Sequence, residues 1–155
     1  MEGQLNRIKT YINGFDEAIS GGIPEKHITL ISGTAGTMKS SLCFNIIYNE
    51  ALAGRNSLYI SLEQSFESLQ QHMDGMGLNS ENMGLLKIDD LTKIDQVIRD
   101  AKASGKGNIL LADVGCIRKE IKDIKVGDNK SWMNVIKNIV KKVKAEIECK
   151  VFVLD

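Results

Sequence analysis

The feature that most constrains this chain is a glycine-containing loop between an apolar run and a helical pattern, within residues 27–47 (HITLISGTAGTMKSSLCFNII). The apolar run His27–Ser32 predicts a strand, and the amphipathic pattern over Lys39–Ala53 predicts a helix that stops at a glycine. The stretch Gly33–Ser40 between them fits the phosphate-loop pattern GxxxxGK[ST] at all but one of its fixed positions. A strand, a tight turn and a helix in this order favour an α/β architecture.

The loop predicts a site for the phosphates of a nucleoside triphosphate. Consecutive backbone N–H groups in a tight turn, together with the first N–H groups of a helix, attract anions. We expect Lys39 to reach the β- and γ-phosphates and the Ser40 hydroxyl to hold Mg²⁺, which prefers oxygen ligands. Gly33 and Gly36 permit unusual backbone angles and close approach of the phosphates. The predicted nucleotide-binding residues are Gly33, Thr34, Ala35, Gly36, Thr37, Met38, Lys39, Ser40 and Ser41.

Met38 is the departure, because it stands where the pattern has glycine. If this position needs a positive φ, a residue with a side chain costs on the order of 1 kcal/mol or more. If the position belongs to the first helical turn, methionine costs little. The sequence leaves both alternatives open, together with a glycine-rich βα turn that carries Lys-Ser by chance.

Strand and helix patterns alternate along the chain. The predicted strands are 27–32, 57–62, 85–89, 108–112 and 151–155, and the predicted helices are 39–53, 66–76, 91–103 and 132–147. The second and last strands are nearly continuous apolar runs, which suits burial on both faces of a parallel sheet. The alternation predicts a mostly parallel sheet with helices on both faces. Residues 113–130 are charged and weakly periodic, so we expect a long, mobile surface segment that is at most partly helical.

Composition limits the class of protein. A length of 155 residues, 43% hydrophobic and 26% charged, fits one globular domain, and a net charge of zero gives no global attraction to nucleic acid or membrane. Ten Lys or Arg against five Asp or Glu over residues 117–150 are more typical of a solvated helix face than of a polyanion site. Cys43, Cys116 and Cys149 match no zinc or redox spacing. With neither a signal-peptide pattern nor an apolar span, we expect a cytoplasmic protein.

A second motif lies directly upstream of the loop. Residues 10–24 (TYINGFDEAISGGIP) resemble the TGIxGLDExxxGGIP segment that precedes the phosphate loop in RecA, RadA and KaiC-like ATPases. From about residue 8 to residue 155 the chain resembles the N-terminal part of an archaeal-type KaiC-like domain, and GTAGTMKSS is similar to the loop of some such proteins. The resemblance implies a RecA-like core and a homo-oligomer, usually a hexameric ring with ATP at the subunit interfaces.

The resemblance also implies site residues outside the loop. Glu63 follows a predicted strand where RecA-like enzymes have the acidic residue that polarises the attacking water, and Gln64 replaces the second glutamate common in KaiC-like domains. Asp155 ends an apolar run as a Walker B aspartate does, and it would hold Mg²⁺ or its bound water. Asp113 also follows an apolar run, but Asp155 is preferred because it follows a long amphipathic helix. A helix-start carboxylate is the alternative for Glu63.

Three further residues are assigned structural roles. His27 opens a predicted strand and His72 lies in a predicted helix, and neither has a metal ligand at a suitable spacing. Trp132 opens an apolar helix face, which favours a place in the core over a platform for stacking bases.

These residues together predict an ATPase that uses Mg²⁺ in a regulatory or signalling role. Lys39 and Glu63 are the predicted catalytic residues, and Ser40 and Asp155 the predicted metal ligands. The alternatives are a nucleotide-binding module that does not hydrolyse ATP and a recombinase-like DNA-dependent ATPase. Any autokinase hydroxyls would lie beyond Asp155, and no base-reading motif separates ATP from GTP.

We also expect residues 1–155 to be a single domain that is part of a longer polypeptide. The sequence stops at the predicted Walker B aspartate, whereas the resemblance implies a further strand between this one and the phosphate-loop strand. Leaving such a slot open would expose unpaired backbone groups, each costing about 1–3 kcal/mol if buried.

Overall fold

The computed structural model describes residues 6–120 and 129–155, with backbone alone at residues 119–120 and 129–131. Its strands are Arg7–Ile8 (β1), Ile23–Pro24 (β2), Asn56–Ser61 (β3), Gly84–Ile88 (β4), Asn108–Asp113 (β5) and Cys149–Leu154 (β6). Its helices are Phe15–Ala18 (α1), Lys39–Leu52 (α2), Phe66–Gly75 (α3), Ile94–Ala103 (α4), Val114–Glu120 (α5) and Asn129–Glu146 (α6). Single 3₁₀ turns precede β4 and α4.

Four strands form one parallel sheet in the order β4-β5-β3-β6. β3 lies inside the sheet, where Leu58 pairs with Leu110 of β5 and with Phe152 of β6. β1 and β2 form a separate antiparallel pair. Parallel neighbours need crossover connections, and helices supply them here, so the predicted α/β class with a mostly parallel sheet is confirmed.

Side chains alternate between the two faces of the sheet, and each face has its own apolar core. On β3, Tyr59 belongs to the core with α2 and α3, whereas Leu58 and Ile60 belong to the core with α4, α5 and α6. β5 is buried at every residue because it contributes to both cores. Helices therefore cover both faces, as the sequence predicts.

The predicted strand that enters the loop, residues 27–32, does not form. Ile28 and Leu30 are 102% and 87% exposed, and no strand of the described residues pairs with this segment. An apolar run becomes a strand only beside a neighbour that completes its hydrogen bonds. Within the described chain β6 pairs with β3 alone, and Phe152 and Leu154 are exposed, so the predicted burial of β6 on both faces is also wrong.

The described ends of the segment 113–130 are helical. α5 covers its first part, and α6 begins three residues before the predicted position 132. Val114 and Ile117 of α5 are buried in the core shared with α6. Two apolar residues one turn apart are enough to dock a short helix. The many charged residues of the segment make this pattern hard to recognise in the sequence. Residues 121–128 lie outside the described residues.

The other predicted helices are confirmed to within a few residues. α2 ends before Gly54 and α3 before Gly77, and both glycines have the positive φ typical of helix C-terminal caps, 81° and 74°. Asp90 caps the turn before α4, because its carboxylate accepts the Thr92 amide at 2.8 Å. Across residues 6–120 and 129–155, none of the helices has the length and apolar character needed to cross a bilayer.

Candidate functional site

Residues 33–38 form an exposed turn at the N-terminal end of α2, and Ser41, in the first turn of the helix, is buried. Gly36 has a φ of 79°, which favours glycine. A Cβ on Gly33 would lie 2.5 Å from the hydroxyl of a threonine in the same turn. The geometry of the turn therefore favours glycine at both positions predicted to shape it.

The ammonium group of Lys39 lies against this turn. Its Nζ donates to the carbonyl of Gly33 at 3.0 Å and to that of Thr34 at 2.9 Å. Thr37 Oγ1 donates to the same Thr34 carbonyl at 2.8 Å. Both partners of Lys39 are neutral, and a phosphate oxygen is a stronger acceptor for an ammonium group than a carbonyl is. The turn thus holds a positive charge that is not neutralised by these contacts.

Met38 adopts the left-handed conformation, with φ 61° and ψ 28°, as the N-cap residue of α2. The structure therefore selects the costlier of the two alternatives left open by the sequence, roughly 1–2 kcal/mol for a residue with a Cβ. The side chain is 69% exposed, and no side chain caps the helix. The first N–H groups of α2 consequently remain free for an anion at the turn.

Ser40 and Asp155, the two predicted metal ligands, are in contact. Ser40 Oγ donates to Asp155 Oδ2 at 2.9 Å, across 115 positions of sequence. The first turn of α2 positions Ser40, and the end of β6 positions Asp155, whose amide donates to the Ile60 carbonyl at 3.0 Å. Hydroxyl and carboxylate oxygens are the hard ligands that Mg²⁺ prefers, so this pair fits such an ion.

Tyr59 reaches the same carboxylate from the interior. Its hydroxyl donates to Asp155 Oδ2, the oxygen that also accepts from Ser40. The ring is fully buried and stacks on Phe44, with centroids 4.7 Å apart and an interplanar angle of 9°. Burial, and then the Asp155 carboxylate, raise the pKa of Tyr59, so the phenol keeps its proton. The same two causes raise the pKa of the nearby Cys43 thiol to about 11.

Sequence analysis missed Tyr59, although a signal was available. A tyrosine in an apolar run is a candidate for burial, and a buried hydroxyl needs a hydrogen-bond partner. In a parallel sheet the polar groups of a site gather at the carboxyl ends of the strands. Tyr59 lies two residues before the end of β3, on the face covered by α2. A hydrogen-bond acceptor for its hydroxyl is therefore expected near that end of the strand.

Glu63 lies in an exposed turn directly after β3. The Ser61 hydroxyl closes this turn, because it accepts from the Gln64 amide at 3.1 Å and donates to the Gln64 carbonyl at 2.8 Å. The Leu62 amide donates to the Asp155 carbonyl at 2.8 Å, which brings the turn next to the end of β6. α3 begins only at Phe66, with Ser65 as its N-cap, so Glu63 lies outside the first helical turn, contrary to the helix-start alternative.

Asp113, the rival of Asp155, is buried with both carboxylate oxygens occupied. Oδ2 accepts from the amide of Phe66, the first residue of α3, at 3.0 Å. Oδ1 accepts from the amide of Cys116, in the first turn of α5, at 2.8 Å. One carboxylate therefore caps two helices, which is a structural role.

The two histidines make local contacts. Ser41 Oγ and His72 Nε2 are 3.0 Å apart, and the His72 ring is edge-on to Phe44 with centroids 5.5 Å apart. His72 therefore packs against the buried side of the first turns of α2. His27 is exposed, and its Nδ1 lies 2.8 Å from the Glu25 carbonyl. Both arrangements fit structural or surface roles.

The motif upstream of the loop packs onto α2. The Asp16 carboxylate accepts from the amide and the hydroxyl of Thr10, each at 2.8 Å, and these bonds, the amide first, lower the pKa of Asp16. The Thr10 carbonyl accepts from Asn45 of α2 at 2.8 Å. Gly22 has a φ of 120°, and a Cβ there would lie 2.3 Å from a backbone oxygen of β1. The motif thus forms a tight turn that packs against α2, and the geometry of this turn explains its residue types.

An ion pair between a buried carboxylate and a partly exposed arginine lies at the far end of α2. The carboxylate of Glu50, a residue 2% exposed, accepts from Arg55 Nε and Nη2 at 2.5 and 2.6 Å and from the Tyr11 hydroxyl at 2.6 Å. Burial opposes ionisation, but the bonds from Arg55 and Tyr11 lower the pKa of Glu50. Burial and Glu50 together raise the pKa of Tyr11 to about 12. Both carboxylate oxygens at this end of α2 therefore accept hydrogen bonds.

The basic segment 117–150 lies partly outside the described residues. Lys142 of α6 pairs with Asp95 at 2.8 Å, and Glu146 pairs with Lys102 at 2.7 Å, so exposed ion pairs link α6 to α4. Trp132 packs against the core, with the guanidinium of an arginine 5.2 Å from its ring centroid. These contacts fit a solvated helix face and a tryptophan in the core.

The chain matches a family model over nearly all of its length. The model described as "ATPase: KaiC" covers residues 8–155. A crystal structure of a KaiC-like protein from Pyrococcus horikoshii is similar, with a TM-score of 0.54 and 19% identity over 97% of this chain and 71% of that one. At that identity the likeness supports the fold.

Curated relatives match shorter stretches. A UPF0273 protein of Saccharolobus solfataricus is 43% identical over 70 residues, which are 45% of this chain and 25% of that protein. A UPF0273 protein of Thermotoga maritima is 39% identical over 75 residues, which are 48% of this chain and 31% of that protein. The chain therefore matches between about a quarter and a third of the length of these relatives.

Proposed function

We propose, because the chain belongs to the KaiC family of ATPases, that its exposed turn 33–38 and the first turn of α2 bind the phosphates of ATP together with Mg²⁺. The observation that carries the proposal is the contact of Ser40 with Asp155. It joins two hard oxygen ligands beside a turn that holds an ammonium group and free helix donors.

Residues Gly33 to Ser41 would cradle the phosphate chain. The uncapped N–H groups of α2 would donate to phosphate oxygens, with the helix dipole favouring the negative charge. Lys39 would exchange its bonds with the carbonyls of Gly33 and Thr34 for the stronger acceptors of the β- and γ-phosphates. Local binding energy would therefore come from backbone geometry and from one side-chain charge.

Ser40 and Asp155 would hold Mg²⁺. The Ser40 proton points to Asp155 Oδ2, which leaves the lone pairs of Ser40 Oγ for the ion. Among residues 6–120 and 129–155 there is no cluster of three or more His, Cys, Asp or Glu suited to a metal. This agrees with an ion held by one or two protein ligands plus phosphate and water. When bound, Mg²⁺ would neutralise charge that develops on the phosphates.

ATP hydrolysis would follow from Glu63 at the neighbouring strand end. The oxygen of a water would form a bond to the γ-phosphorus, and the bond to the β–γ bridging oxygen would break, so that ADP leaves with that oxygen. Glu63 would orient the water and accept its proton. Its exposed position beside the end of β6 supports this role, and Gln64 could orient a water but not accept a proton.

The direct test is Lys39→Ala in the full-length protein, with ATP titrated by calorimetry in the presence of Mg²⁺. We expect the affinity to fall at least tenfold, because a charge-assisted bond to phosphate contributes about 1.5–3 kcal/mol. Lys102→Ala is the matched control, since Lys102 pairs with Glu146 on the surface away from the turn. An unchanged dissociation constant for Lys39→Ala would refute the phosphate site.

A second candidate function is a nucleotide-binding module that turns over ATP poorly. It is favoured by the strained Met38 at the turn, with φ 61°, and by Gln64 in place of a second carboxylate. Tight ATP binding with a steady-state turnover no faster than that of a Glu63→Gln variant would favour this module. Turnover clearly above that variant would favour the ATPase.

We also propose, from family membership, that the protein assembles as a homo-oligomer, in the hexameric form that the resemblance implies. Light scattering coupled to gel filtration, with and without Mg²⁺ and ATP, measures the mass directly. A monomer under both conditions would contradict this proposal without affecting the phosphate site.

A further inference from the structure

We propose that Tyr59 is a positioning residue of the metal site, which holds the Asp155 carboxylate in the orientation that presents it, with Ser40, to Mg²⁺. The inference rests on the proposed function, because it concerns the ion that accompanies the nucleotide. Tyr59 acts through Asp155, and the proposal includes no contact between Tyr59 and the ion or the phosphates.

The two donors reach Asp155 from different sides. Ser40 approaches from the half-buried first turn of α2, and Tyr59 approaches from the core beneath that helix. Both donate to Oδ2, and no side chain of the described residues donates to Oδ1. Two donors on one oxygen fix the plane of the carboxylate and leave the other oxygen for an ion or its bound water.

The ring of Tyr59 explains why the donor is rigid. It is fully buried between the sheet and α2 and is stacked on Phe44. A phenylalanine would fill the same volume, so packing alone does not require the hydroxyl. A buried hydroxyl without a partner costs about 1–3 kcal/mol, so the contact with Asp155 is what makes tyrosine acceptable here.

Asp155 benefits from such support because its backbone is fixed while its carboxylate can rotate. The Asp155 amide donates to the Ile60 carbonyl at 3.0 Å, which holds the main chain but not the side chain. A carboxylate in this setting has several rotamers available, and only some of them face Ser40. Outer partners that orient a metal ligand typically contribute about 10- to 100-fold to metal affinity. Tyr59 is the buried group placed to do this.

The test compares nucleotide affinity with and without the ion in the full-length protein. The dissociation constant of a non-hydrolysable ATP analogue is measured in EDTA and in Mg²⁺, and the ratio gives the metal-dependent gain. For Tyr59→Phe we expect this gain to fall about tenfold while the affinity in EDTA stays unchanged. Tyr48→Phe is the matched control, because it removes a hydroxyl of α2 that donates to the Asn79 carbonyl, and its gain should stay unchanged.

Each outcome discriminates. An unchanged gain in Tyr59→Phe, beside a clear gain in the wild type, would overturn the positioning role alone. A wild type whose affinity does not respond to Mg²⁺ would overturn the proposed metal site and this inference together. Equal losses of affinity in EDTA and in Mg²⁺ would assign Tyr59 to packing and overturn the inference.

A measurement on the wild type covers the case in which Tyr59→Phe does not fold. The hydroxyl proton of Tyr59, identified in NMR spectra by its proximity to the Phe44 ring, reports the bond to Asp155. We expect its resonance to shift when Mg²⁺ is added to the nucleotide complex and to stay in place when nucleotide alone is added. A resonance that does not shift when Mg²⁺ is added would overturn the inference.

Discussion

The ends of β5 and β6 invite comparison, because each carries an aspartate after an apolar run and each flanks β3. Asp113, at the end of β5, is 3% exposed and accepts amides from two helices. Asp155, at the end of β6, is exposed and accepts two side-chain hydroxyls, those of Ser40 and Tyr59. Asp113 uses both of its carboxylate oxygens, each on the amide of a helix, and so stabilises the fold. Asp155 accepts both of its hydroxyl donors on Oδ2, which leaves Oδ1 for a ligand.

The largest expected effect tests the structural half of this comparison. Asp113→Ala removes two charge-assisted bonds and leaves two partly buried amides unpaired, so we expect the free energy of unfolding to fall by about 3 kcal/mol. Nucleotide affinity should not change in protein that remains folded. Urea denaturation measures the loss, and Asp100→Ala is the control, because the exposed Asp100 carboxylate accepts a hydrogen bond from Gln96 within α4. A loss of metal-dependent affinity without a loss of stability would reverse the roles of the two aspartates.

The next prediction concerns the strand end between them. Glu63→Gln keeps the shape of the side chain but removes the proton acceptor, so we expect kcat to fall about 100-fold, with nucleotide affinity kept within about threefold. Steady-state phosphate release measures it. Glu67→Gln is the control, since Glu67 pairs with Lys87 in the first turn of α3. Equal turnover of Glu63→Gln and wild type would leave the catalytic base unassigned.

A smaller effect tests the other half of the comparison. Asp155→Asn retains an acceptor for Ser40 and Tyr59 but loses the charge, so we expect the Mg²⁺-dependent gain in nucleotide affinity to fall about 30-fold. Stability should change by less than about 1 kcal/mol, because Asp155 is exposed. Calorimetric titration and urea denaturation of the same samples give both numbers. A large loss of stability with unchanged metal response would contradict the distinction between the two strand ends.

The smallest predicted effect concerns the turn itself. Met38→Gly relieves a left-handed backbone but adds freedom to the unfolded chain, so we expect a net stabilisation of at most about 1 kcal/mol. Met38→Ala separates backbone from side chain, because it keeps the Cβ and should show no gain. Thermal unfolding of the three proteins measures the difference. A less stable Met38→Gly would show that the methionine side chain contributes contacts at the turn.

The sequence predicts those parts of the molecule that depend on local pattern. β3, β4 and β5 and helices α2, α3 and α4 lie close to their predicted bounds, because their periodicity and terminal glycines are local signals. The strand predicted at 27–32 is absent because an apolar pattern does not encode a hydrogen-bond partner. The first helix after β5 escaped prediction because only two buried residues dock it.

The residues of the site also divide into those that the sequence predicts and those that it does not. Ser40 and Asp155, which the sequence singles out together, are in contact, and their role as metal ligands stays a prediction. Tyr59 and the double cap by Asp113 were missed because they depend on how β3, α3 and α5 pack across the sheet. The conformation of Met38 could not be read from the sequence, because both alternatives fit the same residues.

The order of the strands has a consequence for how the molecule is made. β3 leaves the ribosome well before either of its neighbours, since Ile60 pairs with Ala112 and with Leu154. Such non-local pairings slow folding, because the loops must close before the contacts stabilise the sheet. Of the four strands in the described sheet, β6 is synthesised after the other three, and it carries Asp155 to Ser40 and Tyr59. The nascent chain therefore cannot bring Ser40 and Asp155 together until β6 has docked on β3, so the proposed metal site depends on a non-local strand pairing.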